Sequence, residues 1–321
     1  MHEIKLTDIK GIKVGQEQDL LAATGCTVIL CEEGATAGVD VRGGAPGTRE
    51  TDLLNPVNLV DKVHAVFLSG GSAFGLDAAA GIMQYLEERG VGFDVGVTKV
   101  PIVTGAVLFD LIIGNHQVRP NKAMGYSACE KASDSDYQEG NVGAGTGATI
   151  GKYLGIEYAM KGGIGIYCVQ EGSLQVGAVV AVNCMGDVVD NKTGKIIAGM
   201  LDENKYDFRN TEETMIQDYS KKRNLFSGNT TIGAVITNGN LSKAQANKIA
   251  SMAHNGYART IRPSHSMVDG DTIFVLATGE EEVDINVVGL LAARVVEEAV
   301  MRGVSKADSL HGVVSLKDLM R

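Results

Sequence analysis

The chain has 321 residues, of which 44% are hydrophobic and 21% charged, with a formal net charge of −10 at neutral pH. That balance excludes general nucleic-acid binding, since no basic stripe exists to neutralise phosphates. With tryptophan absent and other aromatics few, a stacking platform for bases or sugars is also excluded.

Length admits two domains or one large layered α/β structure. Glycine makes up 41 of the 321 residues, well above the usual share of roughly 7%. Without a collagen period the glycines read as turns and close backbone approaches. The five cysteines form no CxxC pair, which excludes zinc ribbons and thioredoxin chemistry. Met1-His2-Glu3-Ile4-Lys5 has no apolar signal region, and no run of about 20 apolar residues occurs. The expectation is a reduced cytoplasmic protein, without membrane or nucleic-acid partners and without a metal or other cofactor.

In chain order, Lys10 to Gly15, Gly25 to Cys31 and Ala35 to Arg42 read as strands, and a turn-rich loop follows through Thr51. Val63 to Leu68 reads as a buried strand running into Ser69-Gly70-Gly71-Ser72-Ala73-Phe74-Gly75 and an alanine-rich helix, Leu76 to Arg89. That glycine turn has the wrong spacing for a P-loop and reads as close helix–strand packing. Val100 to Ile113 is apolar, and Ala123 to Ser133 fits a helix carrying Tyr126. Asn141 to Lys152 resembles a nucleotide loop but fails as one: its glycine spacing is wrong, and Tyr153 stands where a Ser or Thr should follow Lys152. It reads as a backbone-rich loop able to act as an anion nest. Ile166 to Gln170 and Val176 to Asn183 form a hairpin, and Asn183 is an amide closing an apolar run.

From Asp202 to Lys222 the chain carries ten charged residues and almost no aliphatic pattern, a solvated linker. Beyond it, Ser227-Gly228-Asn229-Thr230-Thr231-Ile232 enters an apolar β-branched strand. A cut between Asn229 and Thr230 would fall where loop meets core, leaving the fold intact. The freed Thr230 would carry an α-amine able to act as base for its own hydroxyl; the alternative is an ordinary loop-to-strand junction. Ser242-Lys243-Ala244-Gln245 is a capping box opening a helix to about Arg259. Thr272 to Thr278 reads as a strand and Asp284 to Arg302 as a long helix. Asp269-Gly270-Asp271, at a strand entrance, suits a metal, an ammonium group or the orientation of a nucleophile, or it is an acidic turn.

Taken in order, Gly43-Gly44-Ala45-Pro46-Gly47-Thr48-Arg49-Glu50-Thr51, Ser69 to Leu76, Gly143 to Ala148, Lys161-Gly162-Gly163, Asn229-Thr230-Thr231-Ile232 and Asp269-Gly270-Asp271 resemble the DmpA-type aminopeptidases. These include L-aminopeptidase/D-amidase-esterases, β-peptidyl aminopeptidases and nylon-oligomer hydrolases. The resemblance implies a single domain, residues 1–321, with a four-layer α/β/β/α sandwich like that of N-terminal nucleophile hydrolases. It implies autocleavage into chains 1–229 and 230–321 and assembly as a homotetramer of these heterodimers. It further implies Thr230 as nucleophile, Lys161 beside it, and Asn183 and Tyr126 as oxyanion donors; Asp269 and Asp271 would orient Thr230 and Lys161. Expected activity is aminopeptidase action on short peptides, amides or esters, with acidic groups near the site holding the substrate's ammonium. Endo-hydrolysis of nylon-like oligoamides, acyl transfer of the ornithine acetyltransferase kind and non-catalytic ligand binding remain alternatives.

Overall fold

The structure, a computed structural model, describes residues 1–221 and 228–320; Lys222 and Ser227, which border the linker and the junction read above, lie outside the described residues. Ten strands form one mixed sheet: β1 (His2–Ile4), β2 (Lys13–Asp19), β3 (Thr24–Val41), β4 (Thr48–Arg49), β5 (Lys62–Ser69), β6 (Val103–Val107), β7 (Gly163–Glu171), β8 (Leu174–Val182), β9 (Ile232–Gly239) and β10 (Thr272–Glu281). Their order is β1-β7-β8-β9-β10-β3-β5-β6-β4, with β2 also paired to β3. The helices used below are α1 (Ala78–Glu87), α2 (Lys122–Glu130), α3 (Thr211–Gln217), α4 (Lys243–Thr260) and α5 (Ile285–Lys306).

The apolar strands bury both faces, so side chains alternate between two cores rather than between core and water. On β8, Val176, Ala178, Val180 and Val182 face the core under α4 and α5. Val179 and Ala181 face an inner core shared with Ile29, Val66 and Phe274. On β3, Cys26, Val28 and Leu30 face a third core under α1 and α2. The layers are therefore α4/α5, β7 to β10, β3/β5/β6 and α1/α2: the α/β/β/α arrangement expected.

The two β layers share one strand. Gly25 to Cys31 and Ala35 to Arg42, read as separate strands, are the single strand β3. Its register breaks between Leu30 and Ala35, where Gly34 takes a left-handed φ of 81°. Residues 26–36 pair with β5 and residues 36–41 with β10, so one chain crosses from layer to layer.

The charged stretch is also more structured than its composition suggests. It contains α3, capped by Asn210 and tied down where the Thr211 amide and hydroxyl each donate to the buried Asp187 carboxylate at 2.7 Å. The capping box at Ser242 is formed, and α4 follows it.

Three strand ends position the site. β8 runs antiparallel to β9, and β9 parallel to β10, with Ala181 opposite Ile232 and Ile232 opposite Thr272. Asn183 follows β8, Thr230 precedes β9 and Asp271 precedes β10, so the topology alone brings these residues to one edge.

Candidate active site

Thr230 is buried at the Asn229–Thr230 junction. Its amide donates to the Asn183 main-chain carbonyl at 2.9 Å, and its hydroxyl donates to the carbonyl of Asn229. That carbonyl also accepts the Gly270 N–H at 3.1 Å, so the peptide bond preceding Thr230 is polarised by a fixed backbone donor. A Cβ on Gly270 would lie 2.7 Å from Thr230 Oγ1 and 2.8 Å from the Ala45 oxygen, so only glycine fits there. Gly228 is likewise confined: φ is 52°, and a Cβ would stand 2.2 Å from the Phe109 ring. Downstream, the Thr231 amide donates to Asp271 Oδ1 at 2.8 Å.

The structure places Lys152, not Lys161, against the junction. Lys152 Nζ donates to Asn183 Oδ1 at 2.8 Å, to the Asn183 main-chain oxygen at 3.3 Å and to the Gly228 oxygen at 3.5 Å. Burial pulls its ammonium down to about 7, against the opposing pull of the nearby Cys184, Asp269 and Asp110 groups. A lysine poised there is neutral in an appreciable fraction near pH 7 and can accept a proton. Lys161 donates instead to the carbonyls of Gly145, Ala148 and Gly162 at 2.9–3.0 Å, and no hydrogen bond from it reaches Thr230. The backbone-rich loop read as an anion nest thus turns carbonyls onto an ammonium. In the sequence, the loop's likeness to a nucleotide motif masks Lys152. Its signal was a lone lysine in an apolar, glycine-rich run.

Asn183 is buried at the centre. Its Oδ1 accepts from Lys152 and from the Thr149 amide at 2.9 Å, and its Nδ2 donates to the Phe109 oxygen at 3.0 Å. Among the described residues no second acceptor meets Asn183 Nδ2, whose other hydrogen is able to donate to an oxyanion. Tyr126 does not join it. It sits on α2, donating to Glu88 at 2.7 Å and stacking edge-on against Tyr85, with no hydrogen bond to the junction. The match Met124-Gly125-Tyr126 that suggested it reflects helix packing: a Cβ on Gly125 would lie 2.0 Å from the Ala78 oxygen.

Both aspartates are buried beside the junction, but neither contacts Lys161 through a hydrogen bond. Asp271 Oδ1 takes the Thr231 amide, while Oδ2 takes the amide and Nδ1 of His265, each at 2.9 Å. Asp269 accepts from the Ser266 amide at 3.1 Å, from the Ser266 hydroxyl, and from the Met185 amide at 3.4 Å. Burial, and then the neighbouring Asp271, push the Asp269 carboxyl up to about 6. Asp271 thus ties the residue that follows Thr230 to His265, and Asp269 holds the Ser266 turn. Among the described residues no group of three or more His, Cys, Asp or Glu side chains is arranged to hold a metal.

A cleft of about 170 Å³ opens on Thr230, lined by Pro46, Ala73, Leu108, Phe109, Met267 and Val268 among others. No acidic side chain is among its described lining residues, so the carboxylate expected to hold a substrate ammonium does not stand in this wall. No described helix is long and apolar enough to cross a membrane.

The profile of peptidase family S58 matches residues 5–317. An uncharacterized aminopeptidase of Mycobacterium leprae is 42% identical over 339 residues, covering 96% of this chain and 92% of the relative. A 6-aminohexanoate-oligomer endohydrolase of Kocuria sp. is 32% identical, covering 87% of this chain and 75% of the relative. The structure of an L-aminopeptidase D-Ala-esterase/amidase from Ochrobactrum anthropi, described as a variant of the Ntn hydrolase fold, superposes with a TM-score of 0.74 at 19% identity. It covers 98% of this chain and 91% of that one. A Burkholderia β-aminopeptidase gives a TM-score of 0.67 at 20% identity, covering 99% and 93%.

Proposed function

The chain belongs to peptidase family S58 and is a hydrolase of peptide or amide bonds, and from that premise we propose that it cuts itself before Thr230 and then uses Thr230 as an N-terminal nucleophile. The observation that carries this reading is the Thr230 hydroxyl lying on the carbonyl of its own preceding residue, with that carbonyl held by the Gly270 amide.

Neutral Lys152 takes the Thr230 hydroxyl proton, and Oγ1 adds to the Asn229 carbonyl carbon. The Gly270 N–H holds the resulting oxyanion. The C–N bond then breaks, its nitrogen leaving protonated as the Thr230 α-amine, and an ester joins Asn229 to Thr230 Oγ1. Water hydrolyses that ester to an Asn229 carboxylate and a free Thr230 hydroxyl. In the product, chains 1–229 and 230–321 remain together. The α-amine, with an unperturbed pKa of about 7.7–8.0, serves as base in later turnovers. Asn183 Nδ2 supports the substrate oxyanion.

Short peptides, amino-acid amides and esters are the first substrate class. The apolar cleft without a carboxylate favours a second reading, endo-type hydrolysis of neutral oligoamides. The two separate by comparing aminoacyl nitroanilides bearing a free amine with the same compounds N-acylated: preference for the free amine supports the first, preference for the blocked form the second. The self-cleavage test is an intact mass under denaturing conditions. Two fragments meeting at Asn229/Thr230 in wild type and one chain in Thr230→Ala are expected. A single chain in both, or full activity in Thr230→Ala, would overturn the proposal.

A further inference from the structure

We infer that His265 is a positioning residue for the nucleophile, clamping one oxygen of Asp271 so that the other stays aimed at the amide beside Thr230; the inference rests on the Thr230 reading above. Asp271 links the two sides. Its Oδ1 takes the Thr231 N–H at 2.8 Å, and its Oδ2 takes two donors from a single residue, the backbone N–H and ring Nδ1 of His265. Facing a carboxylate oxygen, Nδ1 is the ring nitrogen that carries the proton. Two donors on one oxygen stop the carboxylate from rotating about its Cβ–Cγ bond, and with it the Thr231 amide and the adjoining Thr230 keep their place.

The backbone points the same way. His265 holds a left-handed φ of 58°, a conformation that disfavours most residues with a full side chain. A glycine would take that conformation freely, yet the position carries an imidazole packed against two other rings, with its Nε2 buried and without a hydrogen-bond partner among the described residues. The His254 ring meets it nearly edge-on at 4.8 Å, and the Tyr257 ring lies tilted at 6.3 Å. His254 is fixed in turn by the Asp40 carbonyl at 2.9 Å. The His265 ring therefore has one orientation, and in it Nδ1 meets Asp271.

The test separates ring from backbone. His265→Gly keeps the left-handed turn and the amide donor but loses Nδ1. His265→Asn tolerates the same φ and returns a side-chain donor near that place, whereas His265→Asp tolerates it without a donor. For each, the first-order loss of full-length chain, kcat and KM on an amide that wild type hydrolyses, and Tm are measured. The glycine variant is expected to mature about tenfold more slowly, with kcat falling similarly and KM unchanged, as for loss of alignment. The asparagine variant is expected to recover most of the rate. Glycine maturing and turning over as fast as wild type, or asparagine remaining as slow as glycine, overturns the inference. Should the glycine variant unfold, asparagine against aspartate decides it, and equal rates overturn it. A wild type that never matures overturns the Thr230 reading and the inference with it; a wild type that matures beside an equally fast glycine variant overturns the inference alone.

Discussion

Lys152 Nζ lies 2.8 Å from Oδ1 of Asn183, fully buried, where a hydrated surface lysine would normally be. Burial pulls its ammonium down to about 7, and the contacts hold it beside the Asn229–Thr230 peptide bond, where the proposed cut would fall.

Self-cleavage should therefore titrate. Below about 7, where Lys152 is protonated, the rate of full-length chain loss should rise about tenfold per pH unit, then flatten above it. Lys152→Arg, which keeps the charge but cannot lose its proton, should slow cleavage by about 100-fold or more. Gel densitometry over time at several pH values measures both.

Lys161 should behave differently. Lys161→Met leaves the carbonyls of Gly145, Ala148 and Gly162 without their donor, and should cost roughly 2–4 kcal/mol of stability. Folded variant should still cleave itself. Urea unfolding and intact mass on the same preparation separate the two effects.

Gly270→Ala should act on both. Its Cβ would press on Thr230 Oγ1 and on the Ala45 oxygen. Relief by movement would cost about 1–3 kcal/mol and displace the nucleophile, so slower maturation with a lower Tm is expected.

Tyr126→Phe should leave kcat and KM within about twofold of wild type, because its hydroxyl is engaged with Glu88 on the outer helices. A large fall in kcat would return Tyr126 to the reaction.

Asp110 supplies a stability test. Its carboxyl accepts the Thr24 hydroxyl and the Gly71 amide, both at 2.7 Å, and burial pushes it up to about 6. A carboxyl raised in the fold contributes fully below its unfolded value and loses that contribution as pH rises through about 6. Asp110→Asn mimics the protonated form, so its stability relative to wild type should improve as pH rises from about 4 to about 7, by roughly 3 kcal/mol at most. Paired Tm measurements across that range check the sign.

Much of this arrangement was legible in the residues. The capping box at Ser242, the apolar run before Asn183 and the loop-to-strand step at Thr230 each encode a local rule that tertiary structure respects. What was not legible depended on distance. Lys152 is 31 positions from Asn183 in sequence, and no local pattern announces their contact. Lys161 looked equally good because a lysine before paired glycines gives no sign of whether it faces a nucleophile or a set of carbonyls. β3 looked like two strands because Glu32-Glu33-Gly34 has turn composition, whereas pairing on both sides carries the strand through it. Tyr126 lies apart from the junction for the opposite reason: a short local match is also what helix packing at Gly125 produces.

The placement of β9 and β10 orders events in time. Both strands follow the junction, yet they are wedged into the middle of the sheet, between β8 on one side and β3 on the other. Polypeptide from the far end of the chain must be threaded home before Thr230 meets Asp271 and Gly270. On the proposed self-cleavage, a chain lacking β10 would lack Asp271 and Gly270 beside Thr230 and should not cut itself. Two pieces produced by the proposed cut would stay dovetailed along both seams and should melt as a single body, with no dependence on dilution until the sheet itself gives way.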